Sequence, residues 1–453
     1  MKNLEVEILN LEIRDTIAAI STPYGTGAIA VVRMSGPQSL HIVSKSLAKG
    51  VKTERKMEYR NFFDSNGELV DEVLITYFKG PKSYTGEDMI EIYCHGGVLV
   101  TNRILDTLIS NGARLATKGE FTRRAFLNGK MDLLKAEAIL NIIEAKSESG
   151  LKLALENLKG KLSDELEVLR RMLIDVLSKV EVSIDYSDDV IISDDEILSD
   201  LKDIERFLLS KVKYADRGLH VSTGVTMAIV GKPNVGKSTL LNKLLVEDRA
   251  IVTEIPGTTR DVIKGEIKIQ GIHFVISDTA GIRKTDDRIE KIGIQKTLKE
   301  AEKADVVLFV LDAVTGFTKE DEYILEIIKS GNFIPVWNKV DVGSNFVKIS
   351  DDVHISASTG IGMKDLEDAI VKKVKPLMDD GELSHVISER QLEYLKRMHH
   401  YVKNSISVLE QGYPVDIVSL DIRKALGELD ELSGRNFTED LLDNIFSNFC
   451  VGK

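Results

Sequence analysis

The chain has 453 residues, 43% of them hydrophobic and 29% charged, and a formal net charge of −12 at pH 7. This length predicts two or three domains, and the composition is that of an ordinary globular protein. No apolar run approaches the ~20 residues that a membrane span needs. Two cysteines and an acidic first decapeptide exclude a disulfide framework and a typical signal peptide, so we expect a cytoplasmic protein.

Residues 1–130 mix short strand-like runs with one or two helices. The strand-like runs are Ile29–Val32, Glu72–Phe78 and Met89–Tyr93, and turns that contain glycine or proline separate them. This pattern predicts a small α+β domain.

The densest basic stretch follows these strands. Its members are Lys118, Arg123, Arg124, Lys130 and Lys135. An acidic chain needs a local basic patch to bind RNA, because counterion release drives that affinity. A solvated helix face explains the same residues equally well.

Helical patterns lie on both sides of a central α/β region. The first pattern, in residues 131–221, is an a/d stripe at Leu162, Leu166, Leu169, Leu173, Val176 and Val180, with a second at Ile197, Leu201, Ile204 and Leu208. The acidic segment 185–195 separates the two helices. Residues 376–453 repeat the stripe at Leu392, Leu395, His399, Val402, Ile406 and Leu409. We expect one discontinuous helical domain, 131–221 and 376–453, into which residues 222–375 are inserted as a doubly wound α/β domain.

The inserted region contains a phosphate-binding loop. Residues 231–238 read G-K-P-N-V-G-K-S, between the β-branched run Val225–Val230 and a helical pattern. Backbone N–H groups at a helix N-terminus bind phosphates, and in this template the lysine reaches the β/γ-phosphates while the serine hydroxyl binds Mg²⁺. The predicted nucleotide contacts in this loop are Asn234, Val235, Gly236, Lys237, Ser238 and Thr239.

Three further motifs complete a nucleotide site. Asp278, Thr279, Ala280 and Gly281 end one strand-like run, Asn338-Lys339-Val340-Asp341 ends another, and Ser356, Ala357 and Ser358 follow as a base-supporting loop. Asp341 would accept two hydrogen bonds from guanine that adenine cannot donate. Adenine would leave this carboxylate buried and unpaired, and that cost discriminates strongly against adenine. In this order the motifs resemble the GTPase branch of the P-loop proteins.

The catalytic machinery of that branch is only partly visible. The position after Gly281 holds Ile282, which cannot orient a water molecule, and no arginine finger is evident. The switch sequence consists of Thr253, Glu254, Ile255, Pro256, Gly257, Thr258, Thr259, Arg260 and Asp261. With Asn234 it resembles potassium-dependent GTPases, and this resemblance implies K⁺ at Asn234, Thr253, Ile255 and Thr258, and Mg²⁺ at Ser238 and Thr259. The candidate water-positioning carboxylates are Asp286, Asp287 and Glu290.

The G-T-T-R-D switch, the α+β domain, the inserted GTPase and the terminal Cys450-Val451-Gly452-Lys453 together resemble the tRNA-modifying MnmE (TrmE) family. The resemblance implies a homodimer that forms a heterotetramer or larger complex with an FAD- and NADH-using partner, MnmG. The complex would add carboxymethylaminomethyl or aminomethyl groups at C5 of the wobble uridine of certain tRNAs. It also implies a tetrahydrofolate one-carbon unit held by Arg33, Glu87, Lys130 and Lys453, with Glu290 positioning the water that attacks GTP.

From the residues alone, several of these roles stay open. Arg33, a cation at a predicted strand end, also fits a surface ion pair, and Glu87 fits a turn. Cys450 fits either a nucleophile or a small apolar-facing residue near a terminus. Holding Lys453 in a site requires the helix 439–449 to dock, and Asn436 is its predicted cap. Two other functions stay open as well, a ribosome-assembly GTPase that acts on rRNA and a structural GTPase that dimerises on GTP.

Overall fold

The computed structural model describes residues 15–51, 53–185, 193–247, 265–276, 301, 304–328, 332–378 and 385–453. Within them the chain forms two compact units. The first comprises the described residues of Met1–Leu140, Asn157–Ile192 and Pro414–Lys453, and the second those of Asn141–Glu156 and Ser193–Tyr413. No described helix is long and apolar enough to cross a membrane.

A six-stranded sheet forms the N-terminal part of the first unit. Its strands are β1 (Ile17–Ile20), β2 (Ile29–Ser35), β3 (Met57–Phe63), β4 (Leu69–Phe78), β5 (Met89–His95) and β6 (Arg114–Leu115), in the order β3-β4-β5-β2-β1-β6. Every pair is antiparallel except β1 with β6. The three predicted strands are confirmed.

Alternation along these strands separates a core face from a second face. Val32, Met34, Ile90 and Ile92 are fully buried in one cluster with residues of α1 (Ser39–Ser44) and α2 (Val98–Ser110). Because neighbouring strand residues point to opposite faces, Arg33 and its register partner Glu91 lie on the other face.

The connecting helices are α3 (Glu120–Leu127), α4 (Leu133–Glu144), α5 (Glu148–Leu158), α6 (Lys161–Asp185) and α7 (Asp194–Thr223). The second unit continues with β7 (Val225–Val230), α8 (Lys237–Glu247), β8 (Gly265–Ile269), β9 (Ile272–Ile276), β10 (Val306–Asp312), α9 (Lys319–Ile328), β11 (Phe333–Asn338), β12 (Val353–His354), α10 (Met363–Met378) and α11 (Glu389–Glu410). The first unit ends with α12 (Asp416–Ser433) and α13 (Glu439–Phe446).

The second unit contains a doubly wound sheet in the order β12-β11-β10-β7-β9-β8, parallel except at β8 with β9. Separate apolar clusters cover its two faces. Leu240 and Leu366 pack on one face, and Phe309 and the buried Trp337 pack on the other. Phosphate sites in such sheets lie at the carboxyl ends of the strands. The predicted fold class is confirmed.

Each unit pairs a helix that precedes the α/β region with one that follows it. Helix α6 packs on α12 in the first unit, and α7 packs on α11 in the second. The predicted a/d residues of α6, such as Leu169 and Val180, are fully buried. Side-chain caps start α7 and α11, since Ser193 and Ser388 accept hydrogen bonds from Glu196 N and Gln391 N. The exact domain boundaries stay a prediction.

One predicted cap is wrong. Helix α13 begins at Glu439, and the side chain of Thr438, not Asn436, accepts the hydrogen bond from Leu441 N at 3.2 Å. A cap must directly precede the first helical residue, because only there does its oxygen reach the free N–H groups of the first turn.

Candidate nucleotide site and C-terminal site

The phosphate-binding loop joins the buried strand β7 to α8, which begins at Lys237. The side chains of Asn234, Ser238 and Thr239 are exposed there. Gly236 has a φ of +98°, and a Cβ atom at this position would overlap Nδ2 of Asn338. The loop can therefore pass this close to the end of β11 only with glycine.

Two lysines hold the loop from within. Lys237 Nζ donates to the carbonyl oxygens of Gly231 and Lys232 at 2.7 and 2.8 Å. Lys232 Nζ lies 2.8 Å from Asp321 Oδ2, and that carboxylate also accepts from Thr318 at the start of α9. Lys232 was not among the residues that the sequence singled out, because its partner lies 89 positions away.

On the base side, Asn338 connects two loops. Its Nδ2 donates to Val235 O at 2.8 Å, and its Oδ1 accepts from Ala357 N at 3.0 Å. Asp341 is exposed, so its carboxylate is accessible to a base. Ser356 is buried, and its hydroxyl lies 3.0 Å from that of Ser358.

Lys339 connects the base motif to the phosphate loop. Its Nζ donates to Asn234 O at 2.7 Å and to Asp312 Oδ2 at 2.8 Å. Burial alone would raise the pKa of Asp312, but hydrogen bonds from Lys339 and from Val314 N outweigh it and lower the pKa. Asp312 therefore stays ionised and holds Lys339 beside the loop.

Several predicted site residues lie outside the described residues: Thr253, Glu254, Ile255, Pro256, Gly257, Thr258, Thr259, Asp278, Thr279, Ala280, Gly281 and Glu290. Among the residues that are described, no group of three or more His, Cys, Asp or Glu side chains is arranged to hold a metal ion. Asn234 and Ser238 expose side-chain oxygen atoms of the kind that K⁺ and Mg²⁺ prefer.

The C-terminal tail lies against the N-terminal sheet in the first unit. Gly452 O accepts hydrogen bonds from Arg33 Nη1 at 3.1 Å and from Ser21 Oγ at 3.2 Å. Lys453 O accepts from Phe121 N at 3.1 Å. The preceding helix is docked, as holding Lys453 in a site requires, because Leu442 and Phe446 of α13 are buried in one cluster with Phe126.

Two cations share this site. Arg33 lies in mid-strand, not at the predicted strand end, and its Nη2 lies 2.8 Å from Glu91 Oε1. Burial lowers the pKa of the half-buried Lys453, and the guanidinium of Arg33 lowers it further. The side chains of Arg33, Lys453 and Glu91 therefore place two basic groups and one carboxylate together at this face of the sheet.

These two sites can be compared with known proteins. A family model for the MnmE helical domain matches residues 133–450, and a model for the N-terminus of the GTP-binding protein TrmE matches residues 16–130. The chain belongs to the MnmE family of tRNA modification GTPases. This membership confirms the resemblance and the predicted class of enzyme, a GTP hydrolase.

Full-length relatives carry the same family name. A tRNA modification GTPase MnmE of Fervidobacterium nodosum is 65% identical over 97% of this chain and 98% of the relative, and one of Thermosipho melanesiensis is 56% identical over 97% and 100%. A solved structure of Aquifex aeolicus Era bound to GDP and AlF4⁻ is 28% identical over 39% of this chain and 66% of that one, with a TM-score of 0.25.

Glu87, Lys130 and Cys450 are the remaining predicted residues of the C-terminal site. Glu87 accepts from Ser35 Oγ at 2.7 Å and from Arg124 at 3.3 Å. Burial raises the pKa of Glu87, although Arg124 and Ser35 oppose this. Lys130 is exposed, and its Nζ donates to Pro81 O at 2.7 Å. The thiol of Cys450 is exposed, whereas Cys94 is buried.

Proposed function

We propose that the chain is a potassium-dependent GTPase that modifies tRNA together with an FAD- and NADH-using MnmG-type partner. The product would be a carboxymethylaminomethyl or aminomethyl group at C5 of the wobble uridine of certain tRNAs. A reduced folate, 5-formyl- or methylene-tetrahydrofolate, would supply the one-carbon unit. The chain would act in the cytoplasm as a homodimer that joins its partner in a heterotetramer or larger complex.

The observation that carries this proposal is the hydrogen bond from Arg33 to the carbonyl of Gly452. It brings together two residues implied by the resemblance, Arg33 and Lys453, from opposite ends of the chain. Both are cations with partly buried side chains, and such a pair fits the carboxylates of a folate. The folate carries the one-carbon unit when bound, and Arg33, Lys453 and Glu87 would orient it.

Potassium dependence is supported by the loop geometry. Asn234 is exposed at a φ of +62°, and Lys339 holds its carbonyl oxygen. A bound K⁺ would supply positive charge for the transition state where an arginine finger otherwise reaches, an effect worth roughly 10³–10⁵ in rate. Asn234 and Ser238 would hold K⁺ and Mg²⁺, and Asp341 would select guanine.

Reduced-folate binding tests the one-carbon part most directly. Calorimetry with 5-formyl-tetrahydrofolate should show binding to the wild-type chain and a loss of at least tenfold in Arg33→Gln, as expected for a lost charge-assisted hydrogen bond. Lys403→Gln, a change at an exposed lysine of α11, serves as a matched control. Equal affinity of all three proteins would reject this site.

The reaction itself is tested in cells. Mass spectrometry of tRNA nucleosides from a deletion strain should show an unmodified wobble uridine, which the wild-type gene restores. Unchanged nucleosides would reject the proposed function. Hydrolysis of GTP should also be faster in K⁺ than in Na⁺, and equal rates would remove the potassium mechanism alone.

A further inference from the structure

The stretch that is most basic in sequence does not form a continuous basic surface. Arg124 is buried among Asp15, Glu87 and Glu120. Arg123 pairs with Glu439, and Lys135 lies 3.5 Å from Asp132. Carboxylates of the same unit therefore neutralise three of its five cations.

Lys130, a fourth member of that stretch, instead joins cations from two other segments around the loop that connects β4 to β5. We call this set the basic loop patch, and its members are Arg55, Lys56, Lys79, Lys82 and Lys130, all with exposed side chains. Arg55 Nη2 donates to Lys82 O at 2.5 Å, and Lys130 Nζ donates to the adjacent Pro81 O at 2.7 Å. Three separate segments thus meet at two consecutive carbonyl groups.

The loop that carries this patch is well anchored. Lys82 N donates to Lys79 O at 3.0 Å, and Ser83 Oγ donates to Glu87 O at 2.5 Å. Asn128 Nδ2 donates to Thr85 O at 2.8 Å. The backbone of this loop is therefore held by hydrogen bonds at three points, Lys79 O, Thr85 O and Glu87 O.

The patch has positive charge and N–H donors that a ligand could use. Its contacts include one carboxylate, Glu54, at 3.8 Å from Lys79 Nζ in the described structure. Arg55 and Lys130 each use a single donor atom on the loop, and an arginine carries five N–H donors and a lysine three. On a chain of net charge −12, this surface is suited to a polyanion.

The location of the patch beside the proposed one-carbon site favours the tRNA substrate as the polyanion. Ser83 and Lys130 touch the segment that carries Glu87: Ser83 through its hydrogen bond, and Lys130 because its side chain packs beside Gly86. A base that reacts at the proposed one-carbon site must bring its own phosphates to this rim.

We propose that the basic loop patch binds the phosphate backbone of the tRNA substrate beside the one-carbon site. This inference rests on the proposed function and adds the surface through which the RNA enters. Backbone phosphates position an RNA without reading its sequence, so the patch would set register and affinity, not tRNA identity.

The test compares two triple variants of the full chain. Arg55→Gln/Lys79→Gln/Lys82→Gln removes three charges from the patch and spares Lys130. Lys372→Gln/Lys396→Gln/Lys403→Gln removes three exposed lysines from α10 and α11. Binding of an unmodified tRNA transcript is measured over a range of KCl concentrations, with GTP hydrolysis and folate binding as checks of the fold.

We expect weaker binding for the patch variant and a slope of log K against log [KCl] that is shallower by about two to three. The control should keep the wild-type slope. Equal slopes for the patch and control variants, or no binding of tRNA by the wild-type chain, would overturn the surface. If the patch variant bound tRNA as the wild type does but no longer bound an acidic protein partner, the proposal would also be overturned. The proposed function is judged separately by the wobble nucleosides, so the two failures are distinguishable.

Discussion

Nη1 of Arg33 donates to the carbonyl oxygen of Gly452 at 3.1 Å, across 419 positions of the sequence. Gly452 has a φ of +92°, and an added Cβ atom would lie 2.6 Å from Ile20 O. The C-terminal tail therefore fits against β1 only because this residue is glycine. This one contact joins the two ends of the chain into a single site.

Gly452→Ala should release the tail. The side chain would clash with Ile20 O, and the left-handed backbone adds strain of about 1–3 kcal/mol. We expect carboxypeptidase to remove the last residues roughly tenfold faster or more, followed by intact mass spectrometry.

A matched control for this change lies in α12. An added Cβ atom at Gly427 would meet nothing within 4 Å, so Gly427→Ala should stabilise the helix by about 0.5–1 kcal/mol and leave digestion of the tail unchanged. Equal digestion rates for Gly452→Ala and wild type would show that the tail is not held at this point.

The ion pair of Lys232 and Asp321 should stabilise the GTPase domain. Asp321 is fully buried, so Lys232→Met leaves a buried charge without its cation, which costs about 3–5 kcal/mol. Trp337 is the chain's only tryptophan and is buried in β11, so its fluorescence in urea reports the unfolding of this domain.

The partner variant separates the pair from simple packing. Lys232→Met/Asp321→Asn removes both charges, and we expect it to recover part of the lost free energy of unfolding. The single variant Asp321→Asn completes the comparison. A double variant whose loss of stability equals the sum of the losses in Lys232→Met and Asp321→Asn would contradict a coupling between the two charges.

Gly236→Ala should abolish tight GTP binding. The new methyl group would overlap Asn338 Nδ2 and separate the phosphate loop from the base motif, so we expect an affinity for a fluorescent GTP analogue at least tenfold weaker. Gly271→Ala in the β8–β9 turn is the matched control, since φ is +88° there too but nothing lies within 4 Å of an added Cβ. If both variants bind equally weakly, backbone strain and not the overlap is responsible.

The features that could be predicted from sequence are those encoded by local spacing. The a/d stripe of α6, the strands β4 and β5 and the loop 231–238 depend on periods of 2, 3.6 or a fixed template, and each is found at the expected position. The choice of Thr438 over Asn436 as a cap depends on where the helix begins, and a pattern leaves that uncertain by two or three residues.

Contacts between distant segments could not be predicted. Lys232 and Asp321, or Arg33 and Gly452, meet only because the topology brings their strands and helices together. The same holds for the basic loop patch, whose cations come from three segments, while carboxylates neutralise three of the five cations of the densest basic stretch. Charge density along a chain therefore does not locate a charged surface.

The last prediction concerns acid stability at the start of β10. Asp305 Oδ2 accepts from Thr226 N at 2.7 Å and from Thr226 Oγ1 at 2.6 Å, and Oδ1 lies 2.7 Å from His220 Nε2. Burial alone would raise the pKa of Asp305, but the hydrogen bonds from His220 and Thr226 outweigh it and hold the pKa below the ordinary value of 3.8.

Because the pKa of Asp305 is lower in the folded state than in the unfolded state, its ionised carboxylate stabilises the fold at pH values above the unfolded-state pKa. This stabilisation is lost as the pH falls through the folded-state pKa. Asp305→Asn should therefore lower the free energy of unfolding by about 1.5–3 kcal/mol near pH 5, with a smaller difference from wild type below about pH 4. Urea unfolding followed by Trp337 fluorescence measures the free energy of unfolding of both proteins at each pH. Glu326→Gln, at an exposed position in α9, should show no such pH dependence. A difference for Asp305→Asn that stays constant down to pH 3 would mean that the side chain acts through packing and not through its charge.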